Sequence, residues 1–135
     1  VAAFRATAPL VGPGTWPTPS LLTSGDADAG DRFGVSSAIS GDLAILVAYT
    51  DDQAATDAGA AYIFRFNSTS GNWEQDTKLM APDAAGNDRF GISVDIFESV
   101  TGDDLAIVGS YLDDDAGSAG HRLRRRRRRG PRRSR

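Results

Sequence analysis

The chain of 135 residues contains no cysteine and a single histidine, His121. Disulfide staples and thiolate metal sites are thereby excluded. The one imidazole sits beside an arginine run, which removes histidine-built zinc centres and Ser-His-Asp catalysis. No phosphate-cradling glycine loop is present either, and abundant aspartate without a partner base or nucleophile does not make an active site. The expectation is therefore a protein that is not an enzyme. No apolar run approaches the ~18 residues that a membrane-spanning helix needs, and apolar residues nowhere recur at helical spacing. The chain begins at Val1 with neither an initiator methionine nor an apolar leader, so it is expected to be a fragment of a longer protein, with no secretion signal of its own.

What the sequence does have is one stretch written twice. Trp16, Leu22, Asp26-Ala27, Asp31-Arg32-Phe33-Gly34, Ser36 and Ile39 recur as Trp73, Leu79, Asp83-Ala84, Asp88-Arg89-Phe90-Gly91, Ser93 and Ile96, each 57 residues later. The match resumes at an offset of 62, where Ala44-Ile45-Leu46-Val47 and Tyr49 answer Ala106-Ile107-Val108-Gly109 and Tyr111. A fixed period of this size marks tandem structural units, and the five extra residues fall where a turn tolerates them.

Charge is divided as sharply as the repeat is regular. Residues 1–120 hold five basic against eighteen acidic residues, net −13, whereas residues 121–135 hold ten arginines, net +10. An acidic body repels nucleic acid and anionic lipid, and its Asp-Gly and Asp-Asp steps are turn chemistry.

Short apolar runs rich in Val, Ile, Phe and Tyr alternate with Gly/Asp/Ser clusters every ten or so residues, which predicts an all-β fold. Strands are expected at Gly34–Ile39, Leu43–Tyr49, Ala60–Phe66 and Trp73–Met80, and in the second copy at Gly91–Phe97 and Leu105–Tyr111. Ser40-Gly41-Asp42 reads as a tight hairpin turn and Asn67 to Gly71 as a longer one. Four antiparallel strands in ~57 residues is the size of a β-propeller blade. Leu43–Val47 is apolar throughout, as expected of a strand covered on both faces. In Ala61–Phe66 the aromatics Tyr62, Phe64 and Phe66 alternate with Ala61, Ile63 and Arg65, which predicts one inward face. Thr15–Thr23 has the register of the last strand of a preceding blade, weakened by its prolines. Four segments follow: a Pro/Gly-rich segment at 1–14, the end of one blade plus a complete unit at 15–87, a partial unit at 88–120, and an arginine-rich tail at 121–135 that is expected to be disordered.

Asp-Arg-Phe-Gly-x-Ser, Ser-Gly-Asp-Leu-Ala-Ile-x-Val, an Asp-Asp loop, Gly-Ala-Ala-Tyr-Ile-Phe, and then Asn-Trp and Lys-Leu resemble, in order and duplicated in register, the FG-GAP repeat family. These are the β-propeller repeats of integrin α subunits and of related microbial and algal surface proteins. Phe33-Gly34 and Phe90-Gly91 match the "FG" part, and neither Val47-Ala48-Tyr49 nor Gly109-Ser110-Tyr111 keeps the "GAP" part. The resemblance implies an incomplete propeller of antiparallel four-stranded blades in an extracellular or cell-surface protein, with adhesion-like binding of protein or glycan through loops. A purely structural segment, or an accessory region of a larger hydrolase, is the alternative. Neighbouring blades or self-association through exposed edges would complete such an open array.

Within this frame Trp16, Phe33, Gly34, Tyr62, Phe64, Trp73, Phe90 and Gly91 are expected to be structural. The repeated tryptophans read as packing between blades rather than as sugar-stacking platforms. The long Asp-rich calcium loop found in several integrin blades is missing from its usual place between the first two strands. Asp26, Asp28 and Asp31 are the best remaining calcium candidates, against a plain reading as turn aspartates. Otherwise no cofactor is expected. Asn67-Ser68-Thr69 fits a glycosylation acceptor.

At His121 the repeat stops where a Tyr-x-Phe strand is due. One reading is a polybasic arm for nucleic acid or anionic surfaces. The preferred one is a shifted reading frame from about residue 116, because a strand lost in mid-unit leaves a blade with unpaired edges.

Overall fold

The computed structural model describes residues 1–3, 19–26 and 28–113. Trp16, most of the Pro/Gly-rich segment, Asp114, Asp115 and the arginine tail lie outside the described residues. All regular structure among the described residues is β, in eight strands. The first two are short: β1 (Ala2–Ala3) and β2 (Ser20–Leu21) pair antiparallel. β3 (Ser37–Ser40), β4 (Leu43–Ala48), β5 (Ala60–Asn67) and β6 (Asn72–Leu79) follow as one antiparallel sheet in chain order. β7 (Phe90–Phe97) and β8 (Leu105–Ser110) form a separate antiparallel pair.

The four-stranded sheet is the complete blade that the sequence predicts. Ser40 pairs with Leu43 across a two-residue turn, and Asn67 with Asn72 across a four-residue one. All six residues of β4 are buried, because apolar clusters lie on both sides of it. One side gathers Ala44, Leu46, Tyr62, Phe64 and Trp73 with Leu22. The other gathers Leu43, Ile45, Val47 and Ala61 with Ile96 of the next unit. Burial of such side chains, at about 25 cal/mol per Å² of apolar surface, is what holds successive units face to face.

Three details differ from expectation. The first blade strand begins at Ser37, not Gly34, because positive φ at Arg32 (55°) and Gly34 (90°) keeps Asp31–Gly34 in a turn. The turn still docks on β4, with the Gly34 N–H donating to the Val47 carbonyl at 2.7 Å. β5 is covered on both faces in its first half, since Ala61 is buried beneath the next unit. Its alternation separates large from small side chains before it separates inside from outside. Finally, the segment 1–14 is not merely a Pro/Gly-rich lead-in. Ala2 pairs with Leu21 and Ala3 with Ser20, as Tyr62 pairs with Lys78 and Ile63 with Thr77. Leu21 and Ser20 are the 57-residue counterparts of Lys78 and Thr77, so β1 and β2 occupy the places of the last two strands of a blade.

Candidate functional site

The Asp-Arg-Phe-Gly segments fold alike in both copies. Asp31 Oδ2 accepts the Asp28 N–H at 2.7 Å, and Asp88 Oδ2 accepts the Ala85 N–H at 2.6 Å. Arg32 and Arg89 both take left-handed φ, 55° and 54°, and both glycines follow at 90° and 102°. The buried carboxylate closes the turn, and the turn delivers the aromatic ring inward. Phe33 meets Tyr62 edge-on at 5.4 Å between ring centres, while Phe90 packs against the Leu43–Ile45–Val47 side of the blade. A Cβ at Gly91 would overlap the Val47 side chain, and one at Gly34 would overlap Val1. Phe64 lies in the same cluster as Tyr62. Trp73 is also buried there, edge-on to Phe66 at 5.6 Å, so its ring presents no open stacking face.

Loops 22–36, 49–59 and 80–89 all enter or leave strands at the same end of the sheets, since Ala61 pairs with both Val47 and Leu79. Backbone bonds lace this end together: Asn87 N–H to Thr56 O at 2.8 Å, Arg89 N–H to Asp57 O at 3.2 Å, and Phe90 N–H to Ala58 O at 2.8 Å. Arg32 lies over the Tyr49 ring, 5.4 Å from its centre, and also donates to the Tyr49 hydroxyl.

Beneath the loops sits a buried polar cluster. Lys78 Nζ donates to Asp26 Oδ2 and to Asp51 Oδ2, each at 2.7 Å. The Tyr62 hydroxyl donates to the same Asp51 oxygen at 2.7 Å, and the Gln53 N–H to Asp51 Oδ1 at 3.0 Å. Lys78 also lies 5.0 Å from the centre of the Tyr62 ring. Burial works against the charges here. The hydrogen bonds and charge of Lys78, with a bond from Tyr62, nevertheless hold Asp26 below the ordinary carboxylate range. The two aspartates likewise raise Lys78 despite its burial. Burial, reinforced by the same carboxylates, raises the Tyr62 phenol far above its usual value. The arrangement fixes charge and offers no free nucleophile or base.

The calcium candidates Asp26, Asp28 and Asp31 lie in the segment that enters the blade. Asp26 is held by an ammonium and Asp31 by a backbone N–H, and among the described residues no group of three or more acidic or histidine side chains is placed to hold a metal ion. Asp51, read with Asp52 as turn chemistry, divides from it: Asp52 is exposed and accepts the Asp57 N–H at 2.6 Å, while Asp51 is only 1% exposed. Asn67 closes β5 at the surface, with Oδ1 accepting the Thr69 and Ser70 N–H groups and Nδ2 donating to Glu74 Oε1 at 2.9 Å.

Lys78 stands in the motif as part of its Lys-Leu pair, but its place in the buried cluster was not read from it. The available signal was that it is the chain's one lysine, opposite Tyr62 in the sheet.

Repeated antiparallel units packed face to face, each entered through an Asp-Arg-Phe-Gly turn, define a repeat protein of the β-propeller kind. The FG-GAP repeat family matches at residues 16–64 and again at 73–121, more than half of the sequence, and the chain belongs to that family. No curated protein and no solved structure matches it.

Proposed function

We propose that the chain is a non-catalytic interaction module of an extracellular or cell-surface protein, engaging a protein or glycan partner through the loop end of its blades. The observation that carries this reading is the gathering of the three long loops at one end, braced by backbone bonds from residues 87–90 to 56–58. Loops held on a rigid scaffold are where binding surfaces are built. Asp28, Asp52 and Asp83 are exposed at this end, so a partner presenting cationic or hydroxyl-rich groups suits it. The turns at the opposite end are shorter or tied to their neighbours, as where Arg65 pairs with Asp104 at 2.9 Å.

The test is binding of the full chain to a glycan array and to a panel of cell-surface ectodomains, alongside the triple variant D28N/D52N/D83N. Binding that the variant loses, with unchanged unfolding behaviour, supports the reading. The competing reading is a purely structural repeat, favoured by the internal use of the Asp31, Asp51 and Asp88 carboxylates. Absence of any bound partner on either panel would select it. A partner for the arginine tail is a separate matter, because residues 121–135 lie outside the described residues.

A further inference from the structure

Asn67-Ser68-Thr69 opens the turn between β5 and β6, and neither Asn72 nor Asn87 has a serine or threonine two residues on. β5 begins at the loop end and Asn67 closes it, so the turn stands at the opposite end of the sheet. The ring contact of Phe66 with the buried Trp73 anchors the turn to the blade. Residues 68–72 above that anchor are all exposed.

Turn closure accounts for only half of what these three residues offer. Asn67 Oδ1 accepts the Thr69 and Ser70 N–H groups at 2.9 and 3.2 Å, and the Gly71 N–H donates to the Asn67 carbonyl at 2.8 Å. An aspartate at 67 would accept the same two bonds. Asn67 Nδ2 makes a single hydrogen bond, to Glu74 Oε1 at 2.9 Å. A side-chain amide nitrogen carries two hydrogens, so one of them is left over. The Thr69 hydroxyl is also left over, since it has no hydrogen-bond partner among the described residues. An Asn-x-Thr acceptor is defined by that nitrogen and that hydroxyl, the two groups that closing the turn does not use.

We infer that Asn67 is an N-glycosylation site whose glycan projects from the folded blade at the end away from the three long loops. In the reaction Nδ2 bonds to the anomeric carbon of a lipid-pyrophosphate-linked oligosaccharide, and the bond from that carbon to the pyrophosphate oxygen breaks. The lipid pyrophosphate leaves and the amide gives up one of its two Nδ2 protons. One N–H remains to donate to Glu74 and Oδ1 keeps both of its bonds, so modification leaves the turn closed. A bulky, solubilising group at this end leaves the loops open to a partner. The inference rests on the extracellular reading above, because the lipid-linked donor and its transferase belong to the secretory route.

The test is expression of the full chain behind a cleavable secretion leader in mammalian cells, with mass spectrometry before and after digestion by an N-glycan amidase. The parent is expected to carry a glycan that the amidase removes without prior denaturation, leaving aspartate at 67. Asn67→Gln and Thr69→Ala should each abolish the glycan, and Thr69→Ser, which keeps the hydroxyl, should retain it. The glycosylated chain should match or exceed the urea midpoint of the same chain made in bacteria. Occupancy is read on the intracellular pool as well as on the secreted one, so a variant that fails to fold still reports. An unmodified parent, a glycan that persists in Asn67→Gln, one released only after unfolding, or a lowered urea midpoint would each overturn the inference. A glycosylated chain that binds neither panel would count against the loop-end reading alone, and an unmodified chain that binds would count against this one alone.

Discussion

Lys78 Nζ lies 2.7 Å from Asp51 Oδ2, and this pair ties the last strand of the blade to the loop between its second and third strands. The bond passes beside Tyr62 on the intervening strand, whose hydroxyl donates to the same oxygen. The same ammonium reaches Asp26, in the segment that enters the blade from the preceding unit. A single cation therefore fixes a loop, a strand and an inter-unit connection.

Removing that cation leaves the buried Asp51 carboxylate with only the Tyr62 hydroxyl and the Gln53 N–H. Lys78→Met is expected to destabilise the chain by about 3 kcal/mol, the range for one partner taken from a buried pair. Asp26→Asn should cost only about 1 kcal/mol, since Asp26 is half-buried and the amide oxygen still accepts from Lys78. Urea unfolding of the full chain at pH 7 measures both. Equal effects of the two substitutions would show that Asp51 does not depend on Lys78.

The same cluster sets an alkaline limit. Lys78 and Tyr62 are both raised above their ordinary values of 10.5 and 10.0. A raised group contributes stability that is complete below its unfolded pKa and is lost as pH climbs through the folded one. Asp26, lowered from 3.8, contributes above that value and loses its contribution as pH falls through its folded pKa. Urea midpoints should thus be level from about pH 5 to 9 and fall above pH 10. Tyr62→Phe, which cannot ionise, should shallow the alkaline fall. An unchanged alkaline slope in that variant would place its cause elsewhere.

Most of the fold was legible because both repeat offsets survive in the residues that build strands. The apolar run Leu43–Val47 announced a strand covered on both faces, and Gly34 and Gly91 were marked as structural by the repeat. The polar cluster was not legible, because Lys78 has Leu21 as its counterpart in the preceding unit, so the repeat gave no sign of it. Periodicity likewise could not separate Asp51 from Asp52. Adjacent aspartates look alike in sequence, and only the course of the loop buries one of them. Ala2–Ala3 was hidden for a different reason: two small residues carry no strand pattern, and their pairing with Ser20–Leu21 is set by the sheet.

Glycine at 91 is required twice over. Its φ of 102° disfavours any side chain, and a Cβ there would overlap Val47, which is fully buried. Gly91→Ala is expected to cost about 3 kcal/mol, combining backbone strain with overpacking. Gly34→Ala meets the Val1 side chain, which is 40% exposed and can turn aside, and should cost about half as much. Hydrogen exchange at the Val47 amide, together with the urea midpoint, distinguishes loss of the inter-unit contact from a local change in the turn. Equal costs at the two positions would mean that φ alone decides.

Asp31 and Asp88 make one further comparison possible, because they do the same work in two surroundings. Each buried carboxylate accepts a backbone N–H three residues back, at 2.7 and 2.6 Å. Asp88→Ala should therefore cost about 1–2 kcal/mol by stranding the Ala85 N–H, and Asp88→Asn should recover most of it, since an amide oxygen accepts the same bond. The assignment of these residues to turn closure also predicts that millimolar calcium leaves the unfolding midpoint unchanged, as does a chelator. Only Asp31 has Asp26 and Asp28 nearby in sequence, so calcium binding would appear as a stabilisation abolished by Asp28→Asn and untouched by Asp88→Asn. That pattern would require Asp26 to leave Lys78 and Asp31 to give up the Asp28 N–H. The Lys78→Met variant, which already frees Asp26, should then bind calcium more tightly than the parent. If the parent is indifferent to calcium and Lys78→Met is not, the lysine is what keeps the metal out.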